Sequence, residues 1–239
     1  DGGVAGTNAL TIVGDASFAG TVGTTALSGL SVNGTALLGG NVSTTGTQTY
    51  TGLATLSGGN RTLSGSLVDL NGGVQGGANA LFISGNLDMG AGAVALTTLN
   101  VSGTSILAGD VTSSGAQTYG DGAGDNVTLN GSVTLDSTSG GLISFTAAVD
   151  GTATSTNNLT IDGDAEFDGV VGGISALGTL DVSGELNVDD GSIVNAGALT
   201  AGSALINGDI GTGGSVAGLQ VNGATTLGAS VDTTGSQTY

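Results

Sequence analysis

Three stretches of the chain align without a gap: 30–50 (LSVNGTALLGGNVSTTGTQTY), 99–119 (LNVSGTSILAGDVTSSGAQTY) and 219–239 (LQVNGATTLGASVDTTGSQTY). All three keep the opening Leu and Val, a Gly at 34/103/223, a Leu at 38/107/227, a Val at 42/111/231 and a closing Gly-x-Gln-Thr-Tyr. Self-similarity of this kind restricts the chain to a solenoid, a propeller or an array of small units. A second element precedes each copy, beginning at Asn8 (NALTIVGDASFAG), Asn79 (NALFISGNLDMGAG) and Asn158 (NLTIDGDAEFDG). Within it Leu10, Ile12, Ala16 and Phe18 are apolar or small at alternate positions, as are Leu159, Ile161, Ala165 and Phe167. Period two means β-strand with one buried face.

The spacing sets the turn length. Leu10, Leu30 and Tyr50 follow one another at equal steps of about 20 residues, a period proper to stacked repeats. Leu159, Leu180, Leu199 and Leu219 keep the same step to within one position. The third copy therefore contains two extra turns of about 20 residues, an insertion that only a self-stacking coil tolerates. The step from Tyr50 to Leu81 is about a turn and a half and implies a bulge or a looped-out corner. Asn-Gly pairs at 33–34, 71–72, 130–131, 207–208 and 222–223 supply tight corners. The chain has no Pro, which suits stacked strands in which each N–H is used. The unequal spacing of the closing tyrosines, Tyr50, Tyr119 and Tyr239, fits the blades of a propeller poorly, and a sandwich does not account for whole-turn insertions.

The sequence thus predicts an all-β, parallel β-solenoid of about 20 residues per rung, continuous over 1–239 as a segment of a longer chain. The repeat copies run approximately 8–50, 51–119 and 120–239. About 12 rungs at about 4.8 Å each predict a rod of about 55–60 Å. Leu30, Leu99, Leu180 and Leu219 should point into the core. Tyr50, Tyr119 and Tyr239 should face the core or plug corners, each hydroxyl reaching solvent at a corner. Gln48 shares the inward face with Tyr50, so its amide must find backbone partners.

Composition removes whole classes of function. There is no His, Cys or Lys, Arg61 is the only basic side chain, and 19 acidic residues bring the formal charge to −18. Ser-His-Asp and Cys-His nucleophiles, ordinary zinc sites and Schiff-base chemistry are therefore excluded. One Arg cannot neutralise a row of phosphates, so nucleic acid is not a partner, and an anionic membrane surface repels the chain. No run of about 18 apolar residues is present to span a bilayer, so no membrane insertion of this segment is expected. Absence of Cys suits proteins that cross an outer membrane unfolded. Gly reaches 49 residues, yet a mean hydropathy of +0.33 and evenly spaced Leu, Val and Ile argue against disorder.

With its Gly-x-Gln-Thr-Tyr repeats and Gly-punctuated Leu-x-Val-x-Gly strands, the chain resembles the β-strand repeat regions of filamentous haemagglutinin-like exoproteins and autotransporter passengers of bacteria. The resemblance implies a right-handed parallel β-helix, export to the cell surface, and a role in adhesion or matrix assembly. The expected function is that of a non-enzymatic extracellular fibre or adhesin stalk, with other copies of itself or host-surface and matrix glycans as partners. A surface-layer or sheath protein, or a carbohydrate-active β-helix, is the alternative.

One side-chain constellation invites a ligand. Asp162, Asp164, Glu166 and Asp168 alternate with Ile161, Ala165 and Phe167, which places four carboxylates on one strand face, a calcium candidate. Only Asp164 has an acidic counterpart in the first copy, Asp15, so no cation ladder runs along the repeat. No other cofactor is indicated. Sugar hydrolysis would want aromatic platforms, and there is no Trp. A Thr-x-Thr ice-binding face fails, because Thr47 becomes Ala116 and Ser236 in the other copies. Arg61 has no repeat counterpart and is expected at a corner, dispensable for function.

Overall fold

The computed structural model describes residues 3–122, 124–152, 156–189 and 191–239. Among them there is no helix, and the strands stack in parallel as a β-solenoid of about eleven turns. Each turn has three faces. The first face runs through Ala9–Ile12, Gly29–Val32 and Thr47–Tyr50. The second runs through Ala16–Phe18, Ala36–Leu38 and Ala54–Leu56. The third begins with Val22–Leu27 and Val42–Thr44. All three ladders continue in parallel to the last turn, where Leu219 pairs with Gln237, with register shifts along the way such as those at Ser84/Asn86, Ala93/Leu96 and Val182/Glu185. At about 4.8 Å per turn, eleven turns make a rod about 53 Å long.

Alternation sends one side chain in two to the axis, and those positions carry Leu, Val, Ile and Ala. Leu30, Leu99, Leu180 and Leu219 are 3, 1, 0 and 2 % exposed, so all four lie in the core as expected. Leu159, Leu180, Leu199 and Leu219 stack directly on one another on the second face, so the two extra turns of the third copy are whole turns.

Between copies the whole-turn rule fails. Leu30 stands on the first face, Leu99 on the third and Leu219 on the second. Each copy of the sequence repeat is therefore displaced by one face from the copy before it. Tyr50 lies on the first face and Leu81 on the third, so the stretch between them spans one turn and two faces, and its pairing shifts register between Gln75 and Leu81, where Ala78 takes φ 61°. The repeating physical unit is the face, an apolar-x-apolar strand and a corner. Three such faces are interchangeable, so a repeat can start on any of them. Turn length varies accordingly: the turn that brings Gln48 over Leu30 is short, and the one that brings Ile143 over Gln117 is markedly longer.

Candidate functional site

The predicted carboxylate face does not exist as one face. Leu159–Asp162 and Ala165–Phe167 are separate strands on the second and third faces. Between them Gly163, at φ 141°, turns the chain through a corner. Asp162 ends one strand and accepts a hydrogen bond from Ser183 Oγ at 2.8 Å. Asp164 sits in the corner, and its Oδ1 accepts the Glu185 N–H at 2.8 Å. Glu166 faces outward on the third face, where Asn187 Nδ2 donates to its Oε1 at 3.2 Å. Asp168 lies beyond the end of that strand.

What the fold does gather is Glu166, Asp168 and, from the next turn, Asp189, with one carboxylate oxygen of each within 4.8 Å of the others. Calcium takes six to eight oxygens. Three carboxylates on an outer surface supply about three to six of these, according to whether each binds through one oxygen or two, and Glu166 and Asp189 also accept from the amides of Asn187 and Asn207.

The bond made by Asp164 belongs to a series. Asp15 Oδ1 accepts from Thr35 N at 2.8 Å, Asn41 from Thr62 N at 3.0 Å, Asn86 from Thr104 N at 3.1 Å, Asp110 from Thr134 N at 2.7 Å and Asp209 from Ser230 N at 3.1 Å. Each of these residues immediately precedes an inward side chain, which opens a strand everywhere except after Asn86, and each reaches one turn along the axis. Asn and Asp serve alike, so the corner uses a carbonyl-type oxygen and not a charge. At Asp15 the bond from the Thr35 N–H, then that from the Thr35 hydroxyl, hold the carboxyl below its usual range. Its contribution is present above the unfolded-state value and is lost as pH falls through the lowered one. Asp164→Asn should leave the melting temperature unchanged, whereas Asp164→Ala should lower it by about 2–4 °C, one hydrogen bond in a chain of this size. Calorimetry of the two variants checks this, and equal losses would point to the charge instead.

On the first face Asp69 and Asp88 stack on adjacent turns. Burial, and then the neighbouring Asp69 charge, raise the Asp88 carboxyl. This pair therefore costs stability near neutrality and costs less as pH falls.

The Gln-Thr-Tyr motif proves to be a corner module. In each copy the Tyr hydroxyl donates to the Gln Oε1 two residues earlier, at 3.0 Å for Tyr50, 2.9 Å for Tyr119 and 2.9 Å for Tyr239. The Gln amide donates to the carbonyl six residues back, Val42, Val111 or Val231. Gln48 donates also to Ser64 O at 2.7 Å, and Gln117 to Asp136 O at 2.9 Å, both on the next turn. The hydroxyl or amide of a buried side chain must be paired, and here each polar atom finds its partner inside. Tyr50 and Tyr119 are fully buried, as expected, but their hydroxyls end on Gln and not in solvent. Tyr239 departs further: it is 52 % exposed, because no turn lies over it within these residues. The side chain two residues before the Gly, Thr44, Ser113 or Thr233, donates to that Gly carbonyl. The Gly itself passes so close to the turn below that a Cβ at Gly46 would run into the Ser28 carbonyl oxygen.

Burial pushes the hydroxyls of Tyr50 and Tyr119 well above the ordinary value of 10.0. Their folded-state values are raised, so the stability involved is complete below about pH 10 and is lost as pH climbs beyond it. In a Tyr239→Phe variant, tyrosinate absorbance should appear only together with loss of the β-sheet circular dichroism. Ionisation in the intact fold would contradict the burial.

Sequence reasoning missed two features. Tyr119, Phe145 and Phe167 stack along the third face, with centroids 5.3 and 4.8 Å apart and interplanar angles of 12° and 3°. The turns that separate them are longer than the turns elsewhere, which hides the column from a search at one fixed period. Arg61 stands at a corner, as expected, but its side chain points inward at 8 % exposure. Its Nε donates to Leu38 O at 2.8 Å, one Nη to Asn60 O at 2.7 Å and the other to Ser57 O. Arg61→Gln should therefore lower stability by about 1–3 kcal/mol, since it leaves carbonyls at this corner without their charged donor. An unchanged denaturation midpoint would show the guanidinium to be idle.

A concavity near the last turns is lined by residues such as Thr200, Gln220 and Thr238 and holds no titratable side chain among its lining residues. Comparison with protein families, with curated proteins and with solved structures finds no match for this chain.

Proposed function

We propose that the chain is a non-enzymatic structural spacer, a stretch of extracellular fibre or adhesin stalk that sets distance between a surface and what is attached beyond it. The observation that carries this reading is the parallel ladder on three faces, continuous from the first turn to the last. Turn after turn stacks an apolar-x-apolar interior, and Asp15, Asn41, Asn86, Asp110, Asp164 and Asp209 bracket corners to the next turn. A design of this kind makes length by repetition. The resemblance of its Gln-Thr-Tyr and Leu-x-Val-x-Gly repeats to bacterial exoprotein stalks supports the extracellular setting. The net charge of −18 favours solubility and keeps neighbouring rods apart laterally.

The test is a fusion anchored to a bead at one end, with a ligand-binding module at the other, beneath a polymer brush. Capture of ligand-coated particles should fall as whole turns are deleted from the chain. Capture that ignores the number of turns would contradict the spacer role. Capture by the chain without the module would make it an adhesin in its own right.

A further inference from the structure

Asn-Gly pairs stand at corners, at 33–34, 71–72, 130–131, 207–208 and 222–223, and the asparagine is exposed in every one. Such a pair carries a reaction of its own. The glycine nitrogen attacks the side-chain carbonyl carbon of the asparagine, since glycine has no side chain to shield it. Two things in a fold oppose this: a hydrogen bond that holds the N–H, and neighbours that keep the backbone from turning.

The pairs at 33–34, 71–72 and 207–208 are held in both ways. Gly34 N donates to Gly14 O at 3.1 Å, Gly72 N to Tyr50 O at 3.4 Å and Gly208 N to Val188 O at 2.8 Å. Each glycine also lies against the backbone of the turn before it, where an added Cβ would run into Gly14, Gly52 or Gly191. Gly131 differs on both counts. Its N–H has no partner among the described residues, and a Cβ on it would meet nothing nearer than Ala108 O at 4.0 Å. The pair at 222–223 lies between these cases. Its Gly N–H is also unbonded among the described residues, but a Cβ on Gly223 would meet Gly202 O at 2.7 Å, and Asn222 Oδ1 accepts from Gln220 Nε2 at 2.9 Å.

The length of the corner explains Gly131. Leu107 and Val111 flank the corner below it, and the residues that cover them, Leu129 and Leu135, stand further apart in the chain. Asn130 N still follows the stack, bonded to Leu107 O at 2.7 Å. The chain next bonds to that lower turn where Thr134 N reaches Asp110 Oδ1, at 2.7 Å. Gly131 lies in the slack between.

We infer that Asn130 is a site of self-modification, where the chain converts its own asparagine to aspartate and isoaspartate with water as the only co-reactant. Gly131 N bonds to Asn130 Cγ and gives up its proton, the amide nitrogen leaves as ammonia, and a cyclic imide remains. Water then opens the imide. Opening at Cγ leaves aspartate in an ordinary main chain. Opening at the main-chain carbonyl leaves isoaspartate, with the chain routed through the β-carbon and one atom longer. Either product adds a negative charge one turn above the corner of Asp110, and the slack that frees Gly131 also takes up the extra atom. The inference does not depend on the spacer reading.

Incubation of the 239-residue chain at mildly alkaline pH, then peptic digestion in acid and mass mapping, tests it. Asn130 should convert at least about tenfold faster than Asn33, Asn71 and Asn207, because each of those must first open a bonded corner. Circular dichroism should remain that of the intact fold meanwhile. In urea, with the corners gone, the advantage of Asn130 should disappear. Equal rates at the four asparagines in the folded chain, an Asn130 amide that outlasts the other three, or an advantage that survives in urea would each overturn the inference.

Discussion

Tyr119→Ala should cost about 3–5 kcal/mol from the lost ring and the cavity it leaves, with about 1–3 kcal/mol more from the stranded Gln117 oxygen. Tyr119 is fully buried, lies beneath Phe145 and gives its hydroxyl to Gln117. Tyr119→Phe separates the two contributions, since it keeps the stack and removes only the hydroxyl. Because a turn of a solenoid couples mainly to its neighbours, hydrogen exchange should rise around residues 99–145 and stay unchanged in the first two turns. Chemical denaturation of both variants provides the comparison. A Tyr119→Ala protein as stable as the parent would mean that the ring is not part of the core.

Gly46→Val comes next in size. The obstacle to its Cβ is the backbone carbonyl of Ser28, which cannot rotate aside as a side chain could. The turn must lift, and in lifting it breaks the bond from Thr45 N to Leu27 O, at 2.7 Å, and strains that from the Thr44 hydroxyl to Gly46 O. A cost of about 3 kcal/mol is expected, the upper end for overpacking. A Gly46→Val protein with an unchanged denaturation midpoint would show that this corner does not depend on close stacking.

Much of this was legible from the residues. Alternation at Leu10 and Ile12, or Leu159 and Ile161, is a local property, so it announces strand and inward face without further help. Gln48 and Tyr50 were readable as inward because they share parity with the apolar positions. The rest depends on three-dimensional phase, which a linear period cannot carry. Tyr50 and Tyr119 are equivalent in sequence and stand on different faces, since the three faces accept the same strand. The four carboxylates at 162–168 look coplanar only if the strand runs on, and Gly163 stops it. The corner at Arg61 was readable from the sequence, but not that the side chain turns inward, which depends on Leu38, Ser57 and Asn60 converging on it. The aromatic column escaped because lengthened corners between 119 and 167 spoil the spacing.

The Asn and Asp brackets change how the acidity of the chain is understood. Asp110, Asp164 and Asp209 do the same structural task as Asn41 and Asn86, so their charge is left over for solubility. Acidic residues placed this way can look like a metal site in sequence and be corner fittings in the fold.

Absence of Cys makes the most direct test simple, since two introduced cysteines are labelled without competition. Spin labels at Ser17→Cys on the first turn and Thr226→Cys on the last, in chain diluted with unlabelled protein, report the length of the rod by pulsed electron paramagnetic resonance. Leu180 pairs with Leu199, so residues 180–198 make one complete turn. Inserting three further copies of that segment after residue 198 should lengthen the distance by about 14 Å, three turns at about 4.8 Å each, with no broadening of the distribution. An unchanged distance, or a broad one, would contradict a rod whose length is set by the number of its turns.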